Sequence, residues 1–404
     1  MVTQMHRPAA ILAISSYFKG NRFLERCKQE GVPVFLLTVE KLLAEPWSRE
    51  ACTELFAVKS FADRKALIHA VSYLMRSRKI ERIVALDDFD VEVAGFLREH
   101  FRLTHMGHSE STARFFRDKL AMRQQARTVG IRSPRYTGLW NDSDVTVFLK
   151  EVSGPWLIKP RGEASAAGIK KMQTADDVWK RLNELGDERS FFLLEEMIPG
   201  DLFHVDSLSF NGQIVFAEVN AYWRPLLDVY HGGGVYATRT AKRDSLDAIA
   251  MRDVNARLLS GFGLGYGASH TEFMKAHRDG HIYFIETSSR VGGAHTAEMV
   301  EHATGLNLWS EWAKIEIERG GTYTVPHLDN KYGGVVMSLS RFEKPDTSSF
   351  TDPEIVYRAD MKSHIGFVVR AETPQRVEQL LTNYKDRIAR DFGAAMPAQE
   401  SVAH

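Results

Sequence analysis

The chain has few cysteines, no excess of charge and no long apolar run, and each absence excludes a class of protein. Cys27 and Cys52 are its only cysteines in 404 residues, too few for a disulfide framework or a zinc site, which predicts a reducing, cytoplasmic location. Lysine plus arginine balance aspartate plus glutamate at 52 each, which argues against a nucleic-acid or membrane partner held by bulk charge. No apolar run is long enough to span a bilayer.

A dinucleotide-binding fingerprint is also missing. The first apolar segment, Ile11–Ser15, is followed by a stretch with one glycine, Gly20, and without the pattern G-x-G-x-x-G. This disfavours a nicotinamide cofactor. Strand-like and helical segments nevertheless alternate over residues 1–112, which predicts an α/β domain with a doubly wound parallel sheet.

The remaining residues predict two further units. Residues 113–325 begin with a predicted helix over Arg114–Thr128, and Asn211-Gly212 predicts a β-hairpin within this unit. Residues 326–393 predict a small α+β domain, and the small, polar residues 394–404 are expected to be a disordered tail.

Two predicted strands carry acids in an otherwise apolar setting. Glu272 lies on one strand, Asp279-Gly280 predicts the turn, and the following strand carries Glu286. Side-chain alternation places Glu286, Ser288 and Arg290 on one face, together with Ile282 and Phe284. Adjacent carboxylates repel unless a cation joins them, and hard oxygen ligands suit Mg²⁺. A structural Glu–Arg ion pair explains this stretch equally well.

Two loops have the composition of a nucleotide site. The first follows Lys159 and is rich in small residues from Gly162 to Gly168, which lets backbone N–H groups approach an anion, although a plain hairpin loop is the more common meaning of this pattern. The second contains Glu195, Glu196 and Ile198, and its simplest interpretation is a strand end with solvated glutamates.

Taken in order, these segments resemble the ATP-grasp superfamily, and in particular the carboxylate–amine ligases of the L-amino acid (dipeptide) ligase type. The resemblance covers roughly residues 1–390 and rests on the Asp118-Lys119 helix, Lys159 with its small-residue loop, Glu-Glu-x-Ile followed by Gly200, the Glu272 strand, and the run from Glu286 through Arg290 to Gly293. It implies an ATP-grasp fold with a lid subdomain at about residues 125–200. It also implies ATP and Mg²⁺ (or Mn²⁺) as cofactors, and an amide bond formed between small-molecule carboxylate and amine substrates through an acyl-phosphate.

The resemblance implies a role for each matched residue. Lys119 and Lys159 contact the nucleotide phosphates, together with Ser165 in the loop. Glu195 accepts from the adenine amino group, the backbone of Glu196 and Ile198 reads the ring edge, and His204 faces the nucleotide. Glu272, Glu286 and Ser288 form the metal site. Lys159 and Arg290 are the catalytic pair, and Arg290 and Gly293 contact the substrate.

Several alternatives stay open at this point. The family's metal strand usually has Asn where this chain has Ser288, which puts the second metal ion in doubt. Arg224 and His231 precede a glycine-rich loop and are candidate substrate contacts, although ordinary surface or packing residues would look the same. Rival functions are a biotin-carboxylase-like ligase and a nucleotide-binding protein without catalysis. A homodimer is an assembly that the sequence allows.

Overall fold

The N-terminal unit is a four-stranded parallel sheet with helices on both faces. The computed structural model describes residues 7–103, 107–164, 166–224 and 234–394. The strands run in the order β3-β2-β1-β4, and each pair is parallel. Alternate residues of the strands enter two different cores, one packed on the first helix and the other on the next two. The predicted doubly wound sheet is therefore confirmed. Its elements are β1 (Ile11–Ser15), α1 (Asn21–Gln29), β2 (Val34–Val39), β3 (Glu54–Val58), α2 (Arg64–Met75), β4 (Arg82–Ala85) and α3 (Val91–His100).

A second four-stranded sheet is antiparallel and has its own small core. Its strand order is β5-β8-β6-β7, and two helices pack on it through residues such as Val145, Val178 and Leu182. Thr174 caps the second helix in a capping box with Asp177. The elements from the connecting segment onward are α4 (Glu110–Ala113), α5 (Lys119–Thr128), β5 (Tyr136–Gly138), α6 (Asp142–Glu151), β6 (Trp156–Pro160), β7 (Lys170–Met172), α7 (Ala175–Leu185) and β8 (Phe192–Glu196).

The largest sheet has eight antiparallel strands in the order β13-β12-β9-β10-β11-β14-β16-β15. The C-terminal strands extend this sheet, since β14 pairs with β11. The hairpin at Asn211-Gly212 is confirmed, and both residues have the positive φ that a tight hairpin turn requires. The elements are β9 (Gly200–Phe210), β10 (Gln213–Tyr222), β11 (Tyr236–Thr240), α8 (Leu246–Gly261), β12 (Gly267–Ala276), β13 (Ile282–Ser288), α9 (Thr296–Thr304), α10 (Leu308–Ile317), β14 (Tyr332–Leu339), β15 (Ile355–Arg358), β16 (His364–Ala371) and α11 (Pro374–Asp391).

The predicted continuous helix over Arg114–Thr128 is wrong, because the chain breaks at Asp118. Asp118 has extended backbone and accepts hydrogen bonds from the N–H groups of Leu120 and Ala121, so it is the N-cap of α5. Its carboxylate also pairs with Arg161 of the second sheet. Lys119 is consequently the first residue of a helix that starts at the cleft, and it does not lie on a solvated helix face.

The predicted face of β13 also needs correction. Glu272 pairs with Glu286, but the next residue, Phe273, pairs with Phe284, so Ile285 is an extra residue on β13. This bulge reverses the alternation. Phe284 and Ile282 pack into the core, while Glu286, Ser288 and Arg290 line the cleft.

Among the described residues, no helix combines the length and apolar character needed to cross a membrane. The predicted disordered tail lies almost wholly outside the described residues, which end at 394. The predicted domain boundaries remain predictions.

Candidate active site

Two cavities of about 410 and 400 Å³ meet at a group of charged residues in the centre of the molecule. The first cavity lies between the second sheet and the eight-stranded sheet, with apolar walls from Leu157, Ile169, Met197 and Ile198. The second cavity lies between the ends of β1 and β4 and the eight-stranded sheet. Both cavities are lined by Lys119, Glu163, Glu272 and Glu286.

The two predicted acids lie directly opposite each other on β12 and β13. Tyr222 donates a 2.8 Å hydrogen bond from its hydroxyl to Oε1 of Glu272. Glu286 Oε2 lies 3.0 Å from Lys119 Nζ. Burial opposes ionisation of Glu286, but Lys119 outweighs it, assisted by Lys159, so the pKa of Glu286 lies below its ordinary value. Both acids are thus positioned as carboxylate ligands at the junction of the cavities.

Glu195 is held by two cations, which the sequence does not indicate. The wholly buried Arg123 donates to Glu195 Oε2 from Nε at 3.1 Å and from Nη2 at 2.9 Å, and Lys159 pairs with Oε1. Burial raises the pKa of Glu195, but Arg123 and Lys159 reverse the effect and lower it. Its carboxylate lines the first cavity with both oxygens already engaged.

The segment after β8 forms one wall of the first cavity. The Glu196 carboxylate pairs with Arg278, and the backbone N–H of Glu196 donates to the Arg135 carbonyl. In contrast, the N–H of Ile198 makes no hydrogen bond to any residue that the structure describes. An unpaired backbone donor on an otherwise apolar wall is suited to the edge of a flat heterocycle.

Arg290 connects the eight-stranded sheet to the parallel sheet at the second cavity. Its Nε donates to Asp88 Oδ2 at 2.8 Å, and the Ser288 hydroxyl donates to Oδ1 of the same carboxylate. Burial opposes ionisation of Asp88, but Arg290 outweighs it and holds the pKa of this acid well below its usual range. Sequence reasoning assigned Asp88 no role. The only signal was an Asp87-Asp88 pair directly after a buried strand.

A buried polar network lies behind Glu272. Asp206 accepts from Nδ1 of His204 at 2.7 Å and from Nδ1 of His270 at 2.8 Å. Burial disfavours a charged His270, but Asp206 outweighs this and raises the pKa of His270 to about 9. His270 lines the second cavity, and the sequence analysis missed it. His204 was predicted to face a nucleotide. Instead it is completely buried, shares a hydrogen bond between its Nε2 and the Thr238 hydroxyl, and lines neither cavity.

The other predicted contacts are placed as follows. Gly293 lines the second cavity. Arg224 is exposed and lines neither cavity. Ser165 and His231 lie outside the described residues, as do Gly232 and Gly233 of the glycine-rich loop.

The comparisons with known proteins agree with the fold. No protein-family model matches the chain. It is 20% identical over 318 residues to an L-arginine-specific L-amino acid ligase of Bacillus subtilis, which covers 77% of this chain and 76% of the relative. A D-alanine–D-alanine ligase of Pseudomonas fluorescens is 31% identical over 94 residues, 22% of this chain and 28% of that protein.

The structure of an L-amino acid ligase from Bacillus licheniformis superposes with a TM-score of 0.75 at 17% identity, covering 94% of this chain and 98% of the other. The chain therefore has the ATP-grasp fold, and the predicted resemblance to amino acid ligases is confirmed.

Proposed function

We propose that this ATP-grasp protein is an ADP-forming carboxylate–amine ligase that joins small substrates, amino acids among them, through an acyl-phosphate. The observation that carries this proposal is the position of Glu272 and Glu286, opposite each other on adjacent strands at the junction of the two cavities. A phosphoryl group must pass between a nucleotide and a carboxylate, and here one charged wall serves both compartments. The similarity to amino acid ligases supports the same chemistry.

ATP belongs in the first cavity. Its volume and apolar walls suit an adenine ring, and the Ile198 N–H is available to donate to the ring edge. Lys119 and Lys159 lie at its inner end, toward the acids, where the phosphates would be. Since Arg123 and Lys159 already occupy Glu195, this acid is suited to positioning Lys159 as much as to accepting from adenine.

Glu272 and Glu286 would hold Mg²⁺, because the two carboxylates provide hard oxygen ligands and neither is neutralised by an arginine. Bound Mg²⁺ would neutralise and align the phosphates. Ser288 is a weaker ligand than predicted, because its hydroxyl donates to Asp88. The arrangement thus favours a metal site built on the two glutamates.

The chain's own residues would supply the rest of the reaction. Phosphoryl transfer needs positioning and charge neutralisation more than a strong base. Lys159 and Arg290 approach the junction from opposite cavities and would stabilise charge on the transferred group and the acyl oxygen. The small-residue loop after Lys159 is anchored at the same place, because the Glu163 carbonyl accepts from Lys119 Nζ, which would help to exclude water from a reactive intermediate.

The test is release of ADP and phosphate from Mg-ATP with single and paired amino acids, with Glu286→Ala as the blank. Release that requires a particular pair, together with a product whose mass equals the pair minus water, is expected. Tight ATP binding without ADP release, under any carboxylate and amine mixture, would contradict the proposal and favour a non-catalytic nucleotide-binding protein.

A further inference from the structure

A short turn after β4 organises one wall of the second cavity. The turn spans Asp88–Asp90, and Asp87 caps it by accepting from the N–H of Phe89. Asp88 pairs with Arg290, and Phe89 lines the second cavity. The ring of Phe89 stacks on Tyr17 with centroids 5.2 Å apart and an interplanar angle of 24°.

Arg117 also packs over the Phe89 ring. Its guanidinium carbon lies 4.1 Å from the centroid of the Phe89 ring, and Arg117 lines the second cavity. A guanidinium that packs over an aromatic ring makes this contact without using its N–H groups, and a guanidinium fork can bind a carboxylate with two parallel hydrogen bonds. Stacking therefore orients Arg117 without using its hydrogen-bond donors.

Arg117 differs from the other cations that line the cavity, because it forms no ion pair with a carboxylate in the described part of the chain, although its charge contributes to lowering the pKa of Asp88. Lys19 pairs with Asp87, Lys119 with Glu286, Arg290 with Asp88 and His270 with Asp206. The guanidinium of Arg117, in contrast, makes no hydrogen bond and no ion pair with any residue in the described part of the chain. The wall thus presents one oriented, unpaired cation at a cavity of ligand size.

We infer that Arg117, stacked on Phe89, binds a substrate carboxylate that takes no part in the reaction. The site would therefore favour a substrate pair that contains a carboxylate besides the one that is activated, as any amino acid acting as the amine provides. This inference rests on the proposed ligase function, since the second cavity is the acceptor side of that reaction. The carboxylate has two sources, the main-chain carboxylate of the amine substrate or an acidic side chain on either substrate.

Calorimetric titration of the Mg-ADP-bound full-length protein tests the inference. The probes are the twenty L-amino acids and their C-terminal amides. The variants are Arg117→Ala, Arg117→Lys, and the control Arg114→Ala, an exposed arginine three residues earlier that lies beside Glu92. Loss of a two-pronged, charge-assisted contact should weaken binding about tenfold or more. Because lysine retains the charge but not the planar fork, Arg117→Lys should restore part of the affinity.

Each outcome decides the matter. If Arg117→Ala erases a preference of the wild type for free acids over amides, the main-chain carboxylate is the ligand. If it instead erases a preference for Asp and Glu over Asn and Gln, the ligand is the side-chain carboxylate. The inference is overturned if the wild type binds none of the probes, or if Arg117→Ala keeps every preference. ADP release at an unchanged KM in Arg117→Ala would likewise overturn it but leave the ligase proposal standing, whereas absence of ADP release from the wild type counts against the ligase proposal.

Discussion

Arg290 and Asp88 form an ion pair across 202 residues of sequence, with Nε of the arginine 2.8 Å from Oδ2 of the aspartate. The pair connects the end of the parallel sheet to the strand that carries Glu286. Only 13% of the Arg290 side chain and 11% of the Asp88 side chain are exposed. The pair consequently fixes the direction of Arg290 at the second cavity, and its loss should affect both folding and activity.

Asp88→Asn should lower the free energy of unfolding by about 3 kcal/mol at pH 7, because a largely buried guanidinium loses its counter-charge. The folded-state pKa of Asp88 is depressed, so its contribution is complete above the ordinary aspartate pKa of about 4 and is lost as the pH falls below it. Urea denaturation at pH 7 and pH 3 should therefore show a difference that shrinks in acid. The exposed Asp253→Asn is the control; a difference independent of pH would contradict the ion-pair explanation.

Glu286→Ala should reduce ADP formation at least about 100-fold, because a ligand for Mg²⁺ and the partner of Lys119 are both lost. The melting temperature should change little, since Lys119 keeps its hydrogen bond to the Glu163 carbonyl. Initial rates and thermal unfolding of the same preparations provide the measurement. Glu343→Ala, which removes an exposed glutamate paired with Lys362, should leave the rate unchanged. Wild-type ADP formation by Glu286→Ala would show that the metal assignment is wrong.

Gly292 and Gly293 should respond differently to alanine. A Cβ at Gly292 would lie 2.8 Å from both Asp206 Oδ1 and His270 Nδ1, which hydrogen-bond each other. A Cβ at Gly293 would meet nothing within 4 Å. We expect Gly292→Ala to destabilise the protein by about 1–3 kcal/mol in urea denaturation and Gly293→Ala to have little effect. Equal stabilities of the two variants would mean that the network tolerates displacement.

His270 should titrate near pH 9 in metal-free protein, and Asp206→Asn should lower its pKa, because the larger counter-charge is lost while Glu272 Oε1, 3.8 Å from Nε2, still opposes the effect of burial. A raised pKa means that the stabilising contribution is complete below about pH 6.5 and is lost as the pH rises through 9. The imidazole carbon and proton shifts of His270, followed by NMR with a chelator present, measure this directly. Unchanged titration in Asp206→Asn would exclude Asp206 as the cause.

Local chemistry explains the parts of the fold that the sequence determined by itself. Asn211-Gly212 specifies a hairpin because both residues accept positive φ. Thr174 specifies a helix start because its hydroxyl caps the N–H of Asp177. The turn at Asp279-Gly280 likewise brings the Glu272 strand beside the Glu286 strand, although the exact opposition of the two acids depends on the extra residue Ile285.

The tertiary structure alone decided which charges meet. Asp88 with Arg290 and Arg123 with Glu195 are separated by 202 and 72 residues, so no local pattern relates them. The same holds for the burial of His204 and for the extra residue, Ile285, that turns Glu286 toward the cleft. The local backbone conformation that a residue favours is set by its neighbours in sequence. The ionisation and direction of its side chain are set by desolvation and by partners that only folding brings within hydrogen-bond distance.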